Sequence, residues 1–209
     1  MYTLFGILVL IVIVFLVWRL FSRRWVLPCP SWLGWMVEQE NPFTKINRAS
    51  SIIEHLDLQP GMRVLDAGCG PGRVTIPLAT AIGPDGKVTA LDIQSEMLQK
   101  VKDKAQLKNL SNIQFLQAHI GEGKIGKNQY DRTILISVLG EIPDREQAMK
   151  KLFEALKPGG ILSVTEIIFD PHFQRQKTVL TLAEQVGFKQ KEVIGSFYSY
   201  MMLLEKPKV

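Results

Sequence analysis

The chain has 209 residues, 46% of them apolar and 22% charged, with a net charge of +5. That length suits one ordinary domain with an appendage, and having only two cysteines, Cys29 and Cys69, excludes a disulfide framework and any cysteine-rich metal site. The charge is unevenly placed: residues 1–37 carry Arg19, Arg23 and Arg24 and no acid, leaving 22 basic against 20 acidic groups, or +2, in the remainder. A nearly neutral main domain is not expected to bind nucleic acid.

Residues 2–18 (YTLFGILVLIVIVFLVW) contain no proline and no charged side chain. As a helix, the stretch from Met1 to Phe21 would measure about 31 Å, close to the hydrocarbon thickness of a bilayer. Residues 1–22 are therefore expected to form a transmembrane anchor. No basic group precedes the apolar run and no small-residue cleavage site follows it, which argues against a cleaved signal peptide. Arg19 can snorkel to the headgroups, and Trp18 and Trp25 suit the interface. Because the basic residues follow the run, a single-pass membrane protein with its domain on the cytoplasmic side is expected. Residues 23–43 read as a juxtamembrane segment. Within it WVLPCPSWLGWM, residues 25–36, has three tryptophans, two prolines and no charge; it either lies in the interface or packs on the domain.

Residues 44–209 alternate helical and strand patterns. Ile46, Ile52, Ile53 and Leu56 recur at helical spacing over 44–57, Pro60-Gly61 punctuates, and 63–66 reads as a first strand. A helix is expected over 72–82, a second strand over 87–92, and a helix from an N-capping Ser95 to about Leu107. A third strand (112–117) is followed by a Gly- and Lys-rich stretch, 118–129, where the crossover helix should be short or absent. A fourth strand covers 133–138. Asp144 and Gln147 resemble a capping box for a helix to Leu156. After the turn Lys157-Pro158-Gly159-Gly160 come a fifth strand over 161–168 and a helix over 175–186. Runs at 188–194 and 197–205 around Gly195-Ser196 suggest a closing antiparallel hairpin. The expected fold is α/β, a Rossmann-like, seven-stranded, mostly parallel sheet with that hairpin at one edge.

The most informative stretch is Val64-Leu65-Asp66-Ala67-Gly68-Cys69-Gly70-Pro71-Gly72, an apolar strand running into three glycines and then a helix. Glycines there permit a sharp turn and close approach of a ligand to backbone. The dinucleotide fingerprint G-x-G-x-x-G is not met, since Arg73 stands where the third glycine belongs. Asp92 ends the next strand, where an acid can accept hydrogen bonds from ribose hydroxyls.

The ordered set of Asp66–Gly72, Leu91-Asp92-Ile93, Tyr130-Asp131 and Leu156–Gly160 resembles the class I S-adenosylmethionine-dependent methyltransferases, over residues 44–206. The resemblance implies S-adenosylmethionine as cofactor. Asp66 would receive its amino group, Gly68 and Gly70 would give the methionine portion and ribose close backbone access with Gly72 also binding the cofactor, Asp92 would hold the ribose hydroxyls, and Ile93 would pack on the adenine. Ser137 and Val138 would border the sulfonium and the acceptor. Members often carry an acid after the third strand to bind the adenine amino group; here Ala118-His119 occupies that place. No metal is implied.

Candidate groups for the chemistry follow the fourth and fifth strands: Glu141, Glu166, Asp170 and His172. His172 has the intrinsic basicity for proton abstraction, and Glu166 could orient an amine. The expected acceptor is a small or lipid-soluble molecule, such as a phospholipid headgroup or a quinone. The competing expectation is a cofactor-binding, non-catalytic regulator or partner subunit tethered to the membrane.

Overall fold

A computed structural model describes residues 2–25, 29–40 and 44–208. Seven strands, β1 (Arg63–Ala67), β2 (Lys87–Asp92), β3 (Ile113–Gln117), β4 (Tyr130–Ile136), β5 (Leu156–Ile167), β6 (Lys189–Ser196) and β7 (Ser199–Glu205), form one sheet. Their order is β3-β2-β1-β4-β5-β7-β6, and only β7 runs antiparallel to its neighbours.

Strand alternation feeds two cores, because successive side chains point to opposite faces. Leu65, Leu135 and Leu162 join one cluster, on the face covered by α6 (Arg145–Ala155) and α7 (Gln176–Gln185). Val64, Ile134 and Ile161 join the other, under α3 (Ala49–His55) and α4 (Thr75–Ala81). The helix α5 (Ser95–Leu107) buries Met97, Leu98, Val101 and Ala105, one face of a 3.6-residue period. Asp144 caps α6 by accepting the Gln147 N–H at 2.9 Å, as the capping pattern predicts. Ser95 is instead the first helical residue of α5; Gln94 occupies the cap without a side-chain bond.

No α-helix joins β3 to β4, only a 3-10 turn at Ile120–Glu122, in accord with the sequence. The hairpin differs in register from expectation. Its two-residue loop is Phe197-Tyr198, and Gly195 lies inside β6 at φ +101°, opposite Tyr200. A side chain there would collide with the Ser199 carbonyl oxygen, so this glycine serves close strand pairing rather than the turn.

The apolar amino-terminal run forms α1, a helix over Tyr2–Trp25. Among the described residues no helix is long and apolar enough to cross a membrane, so the transmembrane span expected over 1–22 is not borne out at that level. Several α1 side chains, those of Trp18 and Trp25 included, lie outside the described residues, as do 26–28 and 41–43 of the juxtamembrane segment. Near the end of α1, the Arg19 guanidinium donates to the carbonyls of Ile168 (2.7 Å) and Asp170 (3.2 Å), just beyond β5.

Residues 29–40 form a strap across α5. Gln94 donates to the Cys29 carbonyl (2.9 Å), Lys100 to that of Ser31 (2.6 Å), and Lys104 pairs with Glu38 (2.6 Å). A short helix in the strap, α2 (Gly34–Glu38), starts at a glycine whose absent Cβ would sit 2.7 Å from Lys100 Nζ. The strap docks through backbone and charge, while Trp32 and Trp35 remain 72% and 62% exposed. Of the two readings of these residues, packing of Trp32 and Trp35 into the domain is not what is observed.

Candidate functional site

The chain leaves β1 toward β2 and β3, then returns to place β4 on the other side of β1. This reversal opens a crevice at the carboxyl ends of β1 and β4, the usual ligand position in an open parallel sheet. The glycine loop lies there. The N–H groups of Gly68 and Cys69 both donate to the Leu91 carbonyl (2.8 and 2.9 Å), tying the loop to the end of β2.

Gly68, Gly70 and Gly72 all have positive φ, where a Cβ is strained, but their surroundings differ. A Cβ on Gly68 would lie 2.5 Å from Val138 Cγ2, and one on Gly72 would lie 3.0 Å from Val101 Cγ2. These two glycines permit chain packing. Gly70 has nothing within 4 Å of its missing Cβ, so this position leaves open space for a ligand against backbone.

Asp92 accepts the N–H of Gly70 on one oxygen and that of Gln94 on the other, both at 2.9 Å. Burial raises its pKa, opposed by those hydrogen bonds. Each carboxylate oxygen keeps a lone pair for a further donor. Asp66 is more deeply placed, 3% exposed, and accepts the Thr75 hydroxyl at 2.6 Å. Burial pushes its pKa up to about 7, with the Thr75 hydrogen bond pulling the other way. Thr75 was not singled out in the sequence; its place nine residues after Asp66, in the first turn of α4, was the available signal.

Ile93 is partly buried, and its carbonyl accepts from Gln117 at 3.1 Å. His119 is exposed and 3.8 Å from Glu122. Ser137 follows β4 at φ +53°, with its N–H on the Thr165 carbonyl (2.8 Å) and a buried Oγ that has no protein partner. A left-handed serine at a strand's carboxyl end is the kind of strain that clusters at binding sites.

A second group of acids lies beyond β4 and β5. Glu166 is 1% exposed; one oxygen accepts the Gln174 N–H (3.0 Å), the other has no protein partner, and burial raises its pKa to about 8. Glu141 is raised to about 8, first by burial and then by the charge of Asp170. Asp170, raised by burial to about 6, accepts the His172 N–H at 2.7 Å. Cys29, in the strap, is pushed to about 11 by burial and by Glu141, Asp170 and Asp92, so it brings a neutral thiol to this cluster. His172 is 5% exposed and lines a cavity of about 640 Å³ with Arg19, Gly140, Arg145, Gln174 and Arg175. Arg145 and Arg175 were not identified from the sequence, and Arg19 was read there as a headgroup anchor, since nothing in their spacing links residues 126 and 30 positions apart.

Tyr130-Asp131, part of the family pattern, sits at the opposite end of the sheet. Asp131 accepts from the Arg63 N–H (2.8 Å) and Lys157 (2.7 Å), clasping the entries to β1 and β5. It belongs to the fold and not to the crevice.

S-adenosylmethionine fits the donor set at the crevice. Asp92 has acceptor capacity for two hydroxyls, Gly70 leaves space against backbone, and buried Asp66 supplies a carboxyl beside the loop. A profile described as "Methyltransferase domain" matches residues 58–198, more than half of the chain. Curated relatives include a demethylmenaquinone methyltransferase of Bacillus mycoides, 31% identical over 149 residues, covering 71% of this chain and 56% of that protein. The Staphylococcus carnosus protein of the same name is 34% identical over 110 residues, covering 53% and 45%. The chain spans about half the length of the curated relatives it matches. In fold, it resembles a SAM dependent methyltransferase from Aquifex aeolicus, with a TM-score of 0.76 at 19% identity, covering 86% of this chain and 100% of that one. It also resembles the [4+2]-cyclase SpnF, with a TM-score of 0.68 at 17% identity, covering 77% and 80%. The chain belongs to the methyltransferase domain family.

Proposed function

We propose that this member of the methyltransferase domain family is an S-adenosylmethionine-dependent methyltransferase, held at a membrane by α1 and acting on a small or lipid-soluble acceptor. The observation that carries the reading is the pairing of Asp92 with Gly70 at the switch point of the sheet, beside open space. The acidic group and the cavity beyond β4 and β5 supply an adjoining acceptor side.

When bound, S-adenosylmethionine supplies an electrophilic methyl group. The protein's part is to position the acceptor, exclude water and manage its proton. Proximity and orientation can supply roughly 7–11 kcal/mol in favourable intramolecular systems. The strap contributes by lying over the cluster at Cys29. Asp170, with its pKa near 6, is suited to accept a proton near neutral pH, and the His172 imidazole lines the cavity beside it. Glu166, mostly protonated at neutral pH, offers a hydroxyl donor from its unpartnered oxygen.

Membrane attachment is supported by the composition of α1 and by its exposed apolar side chains, with Phe5, Leu10, Val14 and Leu20 between 59% and 70% accessible. The basic residues after the apolar run favour a domain on the cytoplasmic side. The names of the curated relatives support a quinone-like or other apolar acceptor.

The reading is tested by incubating membranes that contain the protein with methyl-labelled S-adenosylmethionine and separating organic, aqueous and protein fractions, with Asp66→Ala alongside. Label in the organic fraction that vanishes in the variant supports a lipid-soluble acceptor. Label in the aqueous or protein fraction moves the acceptor off the lipid. Cofactor binding without label in any fraction favours the non-catalytic regulator. Recovery of the protein in the soluble fraction after membranes are washed at high salt would overturn the attachment.

A further inference from the structure

We propose that the acceptor carries an anionic group, a phosphate or a carboxylate, seated between Arg145 and Arg175 in the cavity beyond β4 and β5. This rests on the methyltransferase reading and narrows its acceptor. The cavity, about 640 Å³, is of a size that holds a small molecule. Its lining includes three guanidinium groups and no carboxylate.

The arginines reach the cavity from separate elements: Arg19 from α1, Arg145 as the first residue of α6, and Arg175 immediately before α7. Arg145 is fixed in orientation, donating through Nε to the Leu139 carbonyl and through Nη2 to that of Gly140, both at 3.2 Å. Carbonyls orient the guanidinium without neutralising it. Among the described residues neither Arg145 nor Arg175 forms an ion pair. A guanidinium stays charged throughout the physiological range and offers a planar fork of donors that matches phosphate and carboxylate oxygens.

The surroundings reinforce that charge. The helix α7 starts at the cavity wall with no acid in its first turn and no side-chain cap, and Thr178 adds a hydroxyl. Lys177 extends the positive surface along an adjoining groove with Arg145 and Arg175. The nearby carboxyls Glu141 and Glu166, raised to about 8 by burial, hold their protons at neutral pH and set little charge against Arg145 and Arg175, while Asp170, near 6, is ionised and faces Arg19. A quinone carbonyl offers these arginines a neutral hydrogen-bond acceptor, whereas an anionic group adds charge pairing and a bidentate fit.

The test uses the full chain in phosphatidylcholine nanodiscs, titrated calorimetrically with pyrophosphate at low salt, with S-adenosylmethionine titrated in parallel. Pyrophosphate should bind, and Arg175→Ala, an exposed position, should weaken it by about tenfold or more while cofactor affinity is unchanged. Arg175→Lys should fall between the two. Glycerol 3-phosphate in solution and phosphatidic acid in the nanodisc are then tried as competitors. Competition by both shows that a soluble phosphate ester suffices; competition by phosphatidic acid alone assigns the anion to a lipid headgroup. No pyrophosphate binding, equal binding by Arg175→Ala, or competition by neither compound overturns the anionic acceptor. Failure to bind S-adenosylmethionine would overturn the methyltransferase reading itself, which separates the two.

Discussion

The carboxylate of Asp92 accepts the backbone N–H of Gly70 at 2.9 Å, across 22 residues of sequence. The bond joins the end of β2 to the loop after β1, so one side chain holds the glycine loop and faces the crevice. Asp92→Ala should remove both roles, leaving the N–H groups of Gly70 and Gln94 without this acceptor. We expect S-adenosylmethionine affinity to fall about 100-fold and stability to fall by about 1–3 kcal/mol. Calorimetric titration and urea unfolding of the same preparation measure the two effects.

Gly68 and Gly70 should respond differently to alanine. At Gly68 the new Cβ meets Val138 and the φ of +79° is strained, so Gly68→Ala should cost about 2–4 kcal/mol of stability. At Gly70 the φ of +51° is strained but the space is open, so Gly70→Ala should cost about 1–2 kcal/mol. Its larger effect should be on cofactor affinity, because the methyl occupies the crevice. Comparing each variant's unfolding midpoint with its cofactor titration distinguishes packing from ligand space.

Buried Glu166 predicts a pH dependence with a definite sign. Its carboxyl ionises near 4.5 when exposed and near 8 in the folded protein. Between those values the folded state keeps a proton that the unfolded chain has released, so this group makes stability fall as pH rises from about 4.5 to about 8. The contribution is fully present below the lower value and lost through the upper one. Glu166→Gln should therefore gain stability relative to wild type, by about 3–4 kcal/mol more at pH 8 than at pH 5. Urea unfolding of the full chain in mild detergent at both pH values checks it; equal differences at the two would show that Glu166 ionises normally.

Arg19 ties α1 to the loop after β5 through two charged hydrogen bonds. Arg19→Ala should free the Ile168 and Asp170 carbonyls and loosen residues 168–174. With each such bond worth roughly 1.5–3 kcal/mol, amide exchange in that loop should accelerate by about tenfold or more, with β1 and β2 unchanged. Hydrogen-exchange mass spectrometry reads both regions at once.

The sequence was most legible where local chemistry leaves few options. A strand entering Gly68-Cys69-Gly70-Pro71-Gly72, and an acid at the end of the following strand, specify a loop and its clasp because positive φ and close backbone approach demand glycine. The Asp144–Gln147 cap was legible for the same reason: its bond closes within one helical turn. The hairpin loop was misplaced by two residues because Gly195 looks like a turn residue when its neighbours across the sheet are unknown. Tyr130-Asp131 read as part of the family pattern without a role, because a carboxylate's role depends on which end of the sheet it caps.

By itself the sequence determined the strand and helix succession, the glycine loop, the two aspartates around it and the apolar amino-terminal helix. Each is encoded by residues close together along the chain, through periodicity, capping or backbone freedom. Only the tertiary structure decided that Arg19, Arg145 and Arg175 line one cavity, that residues 29–40 strap across α5, and that Glu141, Glu166 and Asp170 are raised in pKa together. Those properties depend on burial and on charges brought near from distant segments. Coulomb and desolvation energies follow distance in space, which the order of residues does not state.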